Sequence, residues 1–366
     1  MEVDVAIVGG GLTGLWTAWA LKDRDPSLEV VVLEAEEVGF GASGRNGGWL
    51  SGKTVGLRNV LATSPAGRAG VQAADRVLER SIHEIVELLG AAEIGAARGG
   101  WMQVARTPSQ MARIEDYLKK SRSWGVGPDA LHLLGTEQVA ERVTIAGVLG
   151  ALYSPSCYRV DPVLMVNALA ELVTASGVTI LERSRVEEAG RGSVRVGEHT
   201  VRARRQVVVA TEAYSFWETG QRRRLLPMNS SMIVTRPLDQ RQWAAIGWDG
   251  AECMSGTAHT YFYAQRTVDG RIAIGGRGKP YRFGSKVDDR GRVDDIRDVR
   301  ALEQVLKGLF PGLLLQTAHA WCGVLGVSVT GRRTSSRTRW LTSPTSAGTP
   351  ARVWRPPMWQ AERSPI

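Results

Sequence analysis

Three glycines near the start of the chain, Gly9, Gly11 and Gly14, stand in the spacing G-x-G-x-x-G, and Glu34 follows twenty residues after the last of them. This combination suits the binding of a pyrophosphate. The first glycine permits a tight turn, and the second lets backbone N–H groups approach the phosphates. The third lets a helix pack closely on a strand, and a carboxylate after the next strand accepts from ribose hydroxyls. A glycine triplet alone would fit a purely structural turn equally well. Here the neighbouring residues supply the rest of the unit. "EVDVAIVGG" is a short buried β run, "LTGLWTAWALKDRD" repeats Leu12, Leu15, Trp16, Trp19 and Ala20 at helical spacing, and "LEVVVLE" is a second β run. A βαβ dinucleotide-binding unit is therefore expected to open the chain, with NAD and FAD both compatible with its fingerprint.

The elements further along must position whatever this unit holds. Val77, Ile82, Ile85, Val86, Leu88 and Leu89 recur on one face of a helical region from about Gly67 to Ile94. "GGWMQVART" reads as a strand, and "PSQMARIEDYLKKSRSWG" as a helix with Pro108 in its first turn and Gly125 beyond its end. The helix in "DPVLMVNALAELVTASG" is marked by Asp161 as cap, Pro162 at the first position and Gly177 as stop. It leads through a small β region into "QVVVAT". From Met228 the pattern turns to longer strands, "MNSSMIVTRPL", "HTYFYAQRT" and "RIAIGGRG". βαβ elements separated by such β material predict two domains threaded through each other.

Composition narrows the class. With 366 residues, 43% of them hydrophobic, the chain can bury a core large enough for two domains. No apolar run reaches the roughly 18–20 residues of a membrane helix, and the first residues enter a strand directly, so a cytoplasmic protein without membrane contact is expected. The net charge of +9 is concentrated: residues 330–366 hold seven arginines against one acid, Glu362. The body is only mildly basic, and nucleic acid is not an expected partner. Cys157, Cys253 and Cys322 are odd in number and far apart, which speaks against a disulfide framework and a local metal site.

A second stretch chooses the cofactor. "GFGASGRNGGWL", Gly39–Leu50, follows the second strand and is too rich in glycine and small polar residues to pack a core. It reads either as a flexible surface loop or as a source of donors, from Ser43, Arg45 and Asn46, for phosphate and a flavin edge. On "GASGRNGG" the sequence resembles the FAD-dependent amine and amino-acid oxidoreductases of the D-amino-acid oxidase superfamily, and within them the γ-glutamylputrescine oxidoreductase-like group. "VVVATEAYS", the stretch Tyr261–Ser285 and "HAWCGVLG" continue the resemblance to about residue 327.

The resemblance implies an α/β fold in which a Rossmann-type FAD-binding domain (1–95 and 156–226) is interleaved with an antiparallel α+β substrate domain (96–155 and 227–327). Non-covalent FAD is implied, held by Gly9, Gly11, Gly14, Glu34, Ala42, Ser43, Arg45, Asn46, Gly47 and Gly48, by the backbone at Val186, and by Ala210 and Thr211. An NAD-dependent dehydrogenase is the alternative that the glycine-rich loop disfavours. On the substrate side, Tyr261 and Tyr263 share a strand face and either line an amine pocket or are ordinary sheet aromatics. Trp321 carries the same two readings. Arg277 and Lys279 are candidates for a cation near the flavin, or for simple solvated charges. Members of the superfamily that oxidise amino acids often hold the carboxylate with an arginine near the strand matched by "HAWCGVLG", and none stands between Trp321 and Ser328. A polyamine-like amine is thus favoured over a simple α-amino acid, with Arg282 or Arg266 as possible replacements for the missing charge. Cys322 is read as a small core residue rather than a covalent flavin link. The expected reaction is oxidation of an amine C–N bond to an imine, with oxygen as electron acceptor. The oligomeric state is left open.

After "HAWCGVLGV" the pattern breaks into Arg, Ser, Thr and Pro. The family's closing motif, similar to G-x-G-V-A-x-x-x-x-A-G-R, is absent from residues 328–366, yet the genetic code read one register away permits it between Thr349 and Ala361. Two expectations follow. Either a one-register frameshift near residue 327 has replaced the family C-terminus, leaving an inactive remnant or a weak flavoprotein, or the segment is a disordered basic tail in its own right.

Overall fold

In the strand Glu2–Val8, Val3 and Val5 through Val8 are buried because both faces of the strand are covered. It runs parallel to Val30–Leu33 on one side and to His199–Val209 on the other. The computed structural model describes residues 1–328 apart from 55–56, 218–224, 259–260, 277–280, 282, 286–289, 292 and 294. Arg277, Lys279, Arg282 and the segment 329–366 lie outside the described residues.

The first sheet has six strands in the order Thr179–Leu181, Val30–Leu33, Glu2–Val8, His199–Val209, Ser193–Val196 and Glu188–Ala189. The alternation of the strands sorts its core into two layers. Val5, Ile7, Val30 and Val32 meet Leu15 and Ala18 of the helix Leu12–Arg24, and Met165, Val166, Leu169 and Val173 of the helix Pro162–Ala175. Ala6, Val8, Val31 and Leu33 face the opposite way, against Val194, Val201, Ala203 and Val207. The helix Pro162–Ala175 starts where its sequence signals it: the Asp161 carboxylate accepts from the N–H groups of Val163 and Leu164 at 2.9 and 3.1 Å. Such a cap stabilises a helix by about 1 kcal/mol.

The second sheet has eight strands, ordered Thr317–Ser328, Leu225–Thr235, Ile272–Gly276, Phe262–Arg266, Cys253–Gly256, Trp101–Ala105, Gly150–Ser154 and His132–Leu134. All its neighbours pair antiparallel except Cys253–Gly256 with Trp101–Ala105. Its core joins Met102, Ile233, Met254 and Ile274 to Leu302, Leu306 and Leu309 of the helix Ile296–Leu309. A two-stranded antiparallel ribbon, Trp49–Ser51 with Cys157–Arg159, lies between the chain's two large sheets in sequence.

Two expectations shift. The helix predicted for Gly67–Ile94 ends at Leu89, because Gly90 takes a φ of +79° and stops it. The residues 42–45, read as loop, form a single helical turn, Ala42–Arg45.

Candidate cofactor and substrate site

The turn after the first strand is built for close backbone approach. Gly9 has a φ of +108°, and a Cβ there would lie 2.8 Å from the Ala210 carbonyl oxygen. A Cβ on Gly14 would lie 2.0 Å from the Gly9 carbonyl oxygen, so only glycine lets this helix and turn coexist. The helix Leu12–Arg24 begins at Gly11, which offers no side chain to cap it, and its first turn carries no acid. The positive end of the helix dipole is left for an anion from elsewhere.

Three further segments converge on this corner. Ser43 Oγ accepts from the Leu12 N–H at 3.0 Å, which folds the glycine-rich loop back onto the helix start. Glu34 accepts from the Gly10 N–H at 2.6 Å through Oε2 and from the Glu36 N–H at 3.0 Å through Oε1. The carboxylate expected to meet a ribose therefore also holds the turn itself. The Glu34 carbonyl accepts from the Ser184 N–H at 2.7 Å, which draws the segment leading to half-buried Val186 alongside. Ala210 ties back to the first strand through its N–H to the Val8 carbonyl at 2.8 Å, and Thr211 Oγ1 pairs with Ser215 Oγ at 2.6 Å.

In the loop itself, Asn46, expected as a donor to phosphate or flavin, makes hydrogen bonds within its own turn. Its amide donates to the carbonyls of Ser43 at 2.6 Å and Ala42 at 3.3 Å, and its Oδ1 accepts from the Gly48 N–H at 2.8 Å. It closes the turn Ala42–Arg45, as asparagine does where a short side chain can replace a backbone partner. Gly47 and Gly48 then carry the loop against the second sheet. A Cβ on Gly47 would lie 2.7 Å from the Tyr263 ring, and one on Gly48, whose φ is +66°, would lie 2.3 Å from Gln265 Nε2.

The ring of Tyr263 also packs closely on Gly275, where a Cβ would lie 2.4 Å from its Cζ. Its hydroxyl meets Ser230 Oγ at 2.8 Å. Tyr263 is thus one of the contacts between loop and sheet, whereas Tyr261 is half-buried just before the strand Phe262–Arg266. Trp321 donates its indole N–H to the Arg45 carbonyl at 3.0 Å and stacks on His319 with ring centroids 5.9 Å apart. The Arg45 guanidinium lies 4.3 Å over the Phe40 ring.

These contacts leave buried polar atoms beside the loop. Arg45 Nη1, Trp49 Nε1 and Gln265 Oε1 have no hydrogen-bond partner among the described residues. Buried donors and acceptors without partners are costly in a folded chain. Two donors and an acceptor next to a glycine-lined loop fit the mixed hydrogen-bonding edge of a flavin. With the open helix start, they match the two ends of FAD.

Other expectations change. Arg266 is not available for a substrate carboxylate: it pairs with Asp249, donates to the Trp248 carbonyl at 2.8 Å and lies 4.0 Å over the Trp243 ring. Cys322 is fully buried, as a core residue should be. Two contributors escaped the sequence reading. Gly275 clears space for Tyr263, and its signal was a glycine pair inside a strand. Glu212, at a φ of +46°, accepts from the Gly326 N–H at 2.8 and 2.9 Å and so joins the end of "VVVAT" to the strand Thr317–Ser328. Among the described residues no group of three or more His, Cys, Asp or Glu could hold a metal ion, and no helix is long and apolar enough to cross a membrane.

A glycine-cornered βαβ unit whose next loop is pressed against a large, mostly antiparallel sheet suits an enzyme that uses a dinucleotide. Residues 4–342 match the family described as FAD dependent oxidoreductase, DAO, and the chain belongs to it. The dinucleotide is accordingly FAD rather than NAD, and the match runs on past residue 327. The chain is 29% identical over 284 residues to γ-glutamylputrescine oxidoreductase of Escherichia coli K12, an alignment covering 75% of this chain and 64% of that protein. It is 23% identical to the probable oxidoreductase OrdL of Rhizobium meliloti, over 90% of this chain and 74% of the relative. Among solved structures it is similar to glycine oxidase from Geobacillus kaustophilus, with a TM-score of 0.71 at 20% identity, covering 90% of this chain and 84% of that one. The fold is the one seen in that oxidase.

Proposed function

We propose that the protein oxidises the C–N bond of a small amine, polyamine-like or derived from an amino acid, to an imine, with oxygen as the electron acceptor. The observation that carries this reading is the close packing of Tyr263 on both Gly47 and Gly275, which sets a substrate-side strand directly against the loop expected to hold the flavin. The name of the Escherichia coli relative, which acts on a γ-glutamylated diamine, supports the amine class. So does the absence of arginine from the strand Thr317–Ser328, where a carboxylate would otherwise find its charge.

In this proposal residues 1–95 and 156–226 hold FAD, and 96–155 and 227–327 hold the amine. The division is supported by the six-stranded sheet drawing its strands from the first set and the eight-stranded sheet drawing nearly all of its residues from the second. Bound FAD supplies a two-electron acceptor at the carbon that bears the nitrogen. The chain's own part is to position and exclude. Gly11 and Ser43 shape the phosphate end, Glu34 fixes the turn and offers its remaining lone pairs to ribose, and Arg45 supplies positive charge beside the ring. Tyr263 and Trp321 border the amine. No side chain is needed as base when the amine arrives neutral, so activity rises with pH as the substrate deprotonates.

Purified protein titrated with FAD should develop flavin bands near about 450 nm and consume oxygen with γ-glutamylated or free diamines in preference to glycine. Flavin binding without turnover of any amine on such a panel would remove the substrate reading and leave the cofactor reading intact.

A further inference from the structure

Two cysteines that the proposed reaction does not use meet in the core. Cys157 opens the strand Cys157–Arg159 of the ribbon beside the flavin loop, and Cys253 opens the strand Cys253–Gly256 of the eight-stranded sheet. One glycine ties their backbones together. The Gly100 N–H donates to the Cys157 carbonyl at 3.0 Å, and the Gly100 carbonyl accepts from the Cys253 N–H at 2.9 Å. Both thiols converge on the Tyr158 carbonyl oxygen, with Sγ at 3.6 Å for Cys157 and 4.0 Å for Cys253. Both side chains are fully buried in one apolar cluster with Trp101 and Leu152. Cys322 stands apart, its Sγ 3.7 Å from Asn229 Oδ1.

We propose that Cys157 and Cys253 form a modification site, a dithiol that hydrogen peroxide converts to an intramolecular disulfide. In the first step the Cys157 thiol gives up its proton, its sulfur attacks the peroxide, the O–O bond breaks, and a sulfenic acid and one water result. In the second the Cys253 sulfur attacks the sulfenic sulfur, the S–S bond forms, and the hydroxyl leaves with the Cys253 proton as a second water. Two thiols thus lose two electrons and two protons, and peroxide is reduced to two waters.

The surroundings set this order. Burial, and then the neighbouring Cys157 thiol, push the Cys253 thiol well above its ordinary range, so Cys253 is suited to the second step. Lys53 follows two residues after Ser51, the register partner of Cys157, and its ammonium lies 4.3 Å over the ring of Trp101. Trp101 is itself the register partner of Cys253 across the parallel pair. Both thiols are fully buried, so peroxide reaches them through a local opening of the fold. The bond would fasten the ribbon that follows the flavin loop to the sheet on the substrate side.

The test uses the full chain. Folded protein is exposed to excess hydrogen peroxide, quenched, unfolded and titrated for free thiols, and its peptides are mapped by mass. Free thiols should fall from three to one, with Cys322 the survivor. The Cys157 and Cys253 peptides should appear joined, two hydrogens lighter than their sum, and separate again with dithiothreitol. Cys322→Ser should form the same bond, and Cys253→Ser should leave a sulfenic acid on Cys157 that dimedone traps. Three thiols surviving in the folded protein, oxidation confined to Cys322, or a bond that forms only after unfolding would each overturn the proposal.

Discussion

The indole N–H of Trp321 donates to the backbone carbonyl of Arg45 at 3.0 Å, so the outermost strand of the eight-stranded sheet is fastened to the helical turn Ala42–Arg45 of the glycine-rich loop. Trp321→Phe keeps an aromatic ring against His319 and removes only the donor. Leaving the Arg45 carbonyl without its partner costs about 1–2 kcal/mol, which loosens FAD by roughly 5- to 30-fold if the loop needs that turn to bind it. Quenching of protein fluorescence by added FAD measures this. A Kd equal to that of the unaltered chain would show that the loop keeps its shape without Trp321.

Gly47→Ala places a methyl 2.7 Å from the Tyr263 ring, which already packs closely on Gly275 and is held at its hydroxyl by Ser230. Overpacking of this kind costs about 1–3 kcal/mol. Urea denaturation should show the loss, and Tyr263→Leu in the same chain should recover part of it by freeing the space. Additive losses in the double variant would mean that the two residues do not press on each other.

The βαβ unit was legible because each of its requirements is local. Gly9, Gly14 and the apolar positions of the first strand and helix lie within one stretch of chain, and their packing follows from periodicity alone. The capped helix Pro162–Ala175 was legible for the same reason. The contacts around Tyr263 were not. They join Gly47, Ser230, Tyr263 and Gly275, residues brought together only by strand order in the second sheet, which no local pattern encodes. Asn46 was ambiguous because its amide is chemically able to meet either a ligand or its own loop. Only the geometry of the turn Ala42–Arg45 decides between them. Arg266 misled, its partner Asp249 lying in a loop whose approach the sequence does not signal.

Glu34→Gln separates two roles of one carboxylate. Both of its oxygens accept from backbone N–H groups, and an amide must turn its NH2 toward either Gly10 or Glu36, setting donor against donor. The expected cost is about 1–3 kcal/mol of stability together with weaker FAD binding. Glu34→Asp should retain the charge yet fall short of Gly10. Thermal melts run with and without FAD distinguish the roles, because a carboxylate used for ribose alone would change only the melt with cofactor.

The segment 328–366 makes a prediction about the gene. If a register shift near codon 327 produced its run of Arg, Ser, Thr and Pro, the neighbouring register must stay open beyond that codon and encode G-x-G-V-A followed by A-G-R. A gene restored to that register should yield a chain that retains FAD through gel filtration more firmly than this one. An early stop in the neighbouring register would end the idea, and the basic segment would then be native to the chain.

Lys53 carries a signature in stability. Burial, then the charge of Arg58, lower its pKa from 10.5 to about 8, while Cys157 opposes the shift. Between those values the unfolded chain holds a proton that the folded chain has released, so stability rises as pH climbs from about 8 to 10.5. Below pH 8 both states are protonated and the full cost of the buried ammonium is present. Lys53→Met removes that cost and part of the cation–π attraction to Trp101 and Tyr117, for a net gain of about 1–3 kcal/mol at pH 7. The gain should shrink toward pH 10, where the unaltered lysine is neutral in the fold. Urea denaturation of both chains at pH 7 and pH 10 reads the difference directly, and a gain that is the same at both values would mean that Lys53 stays protonated in the folded protein.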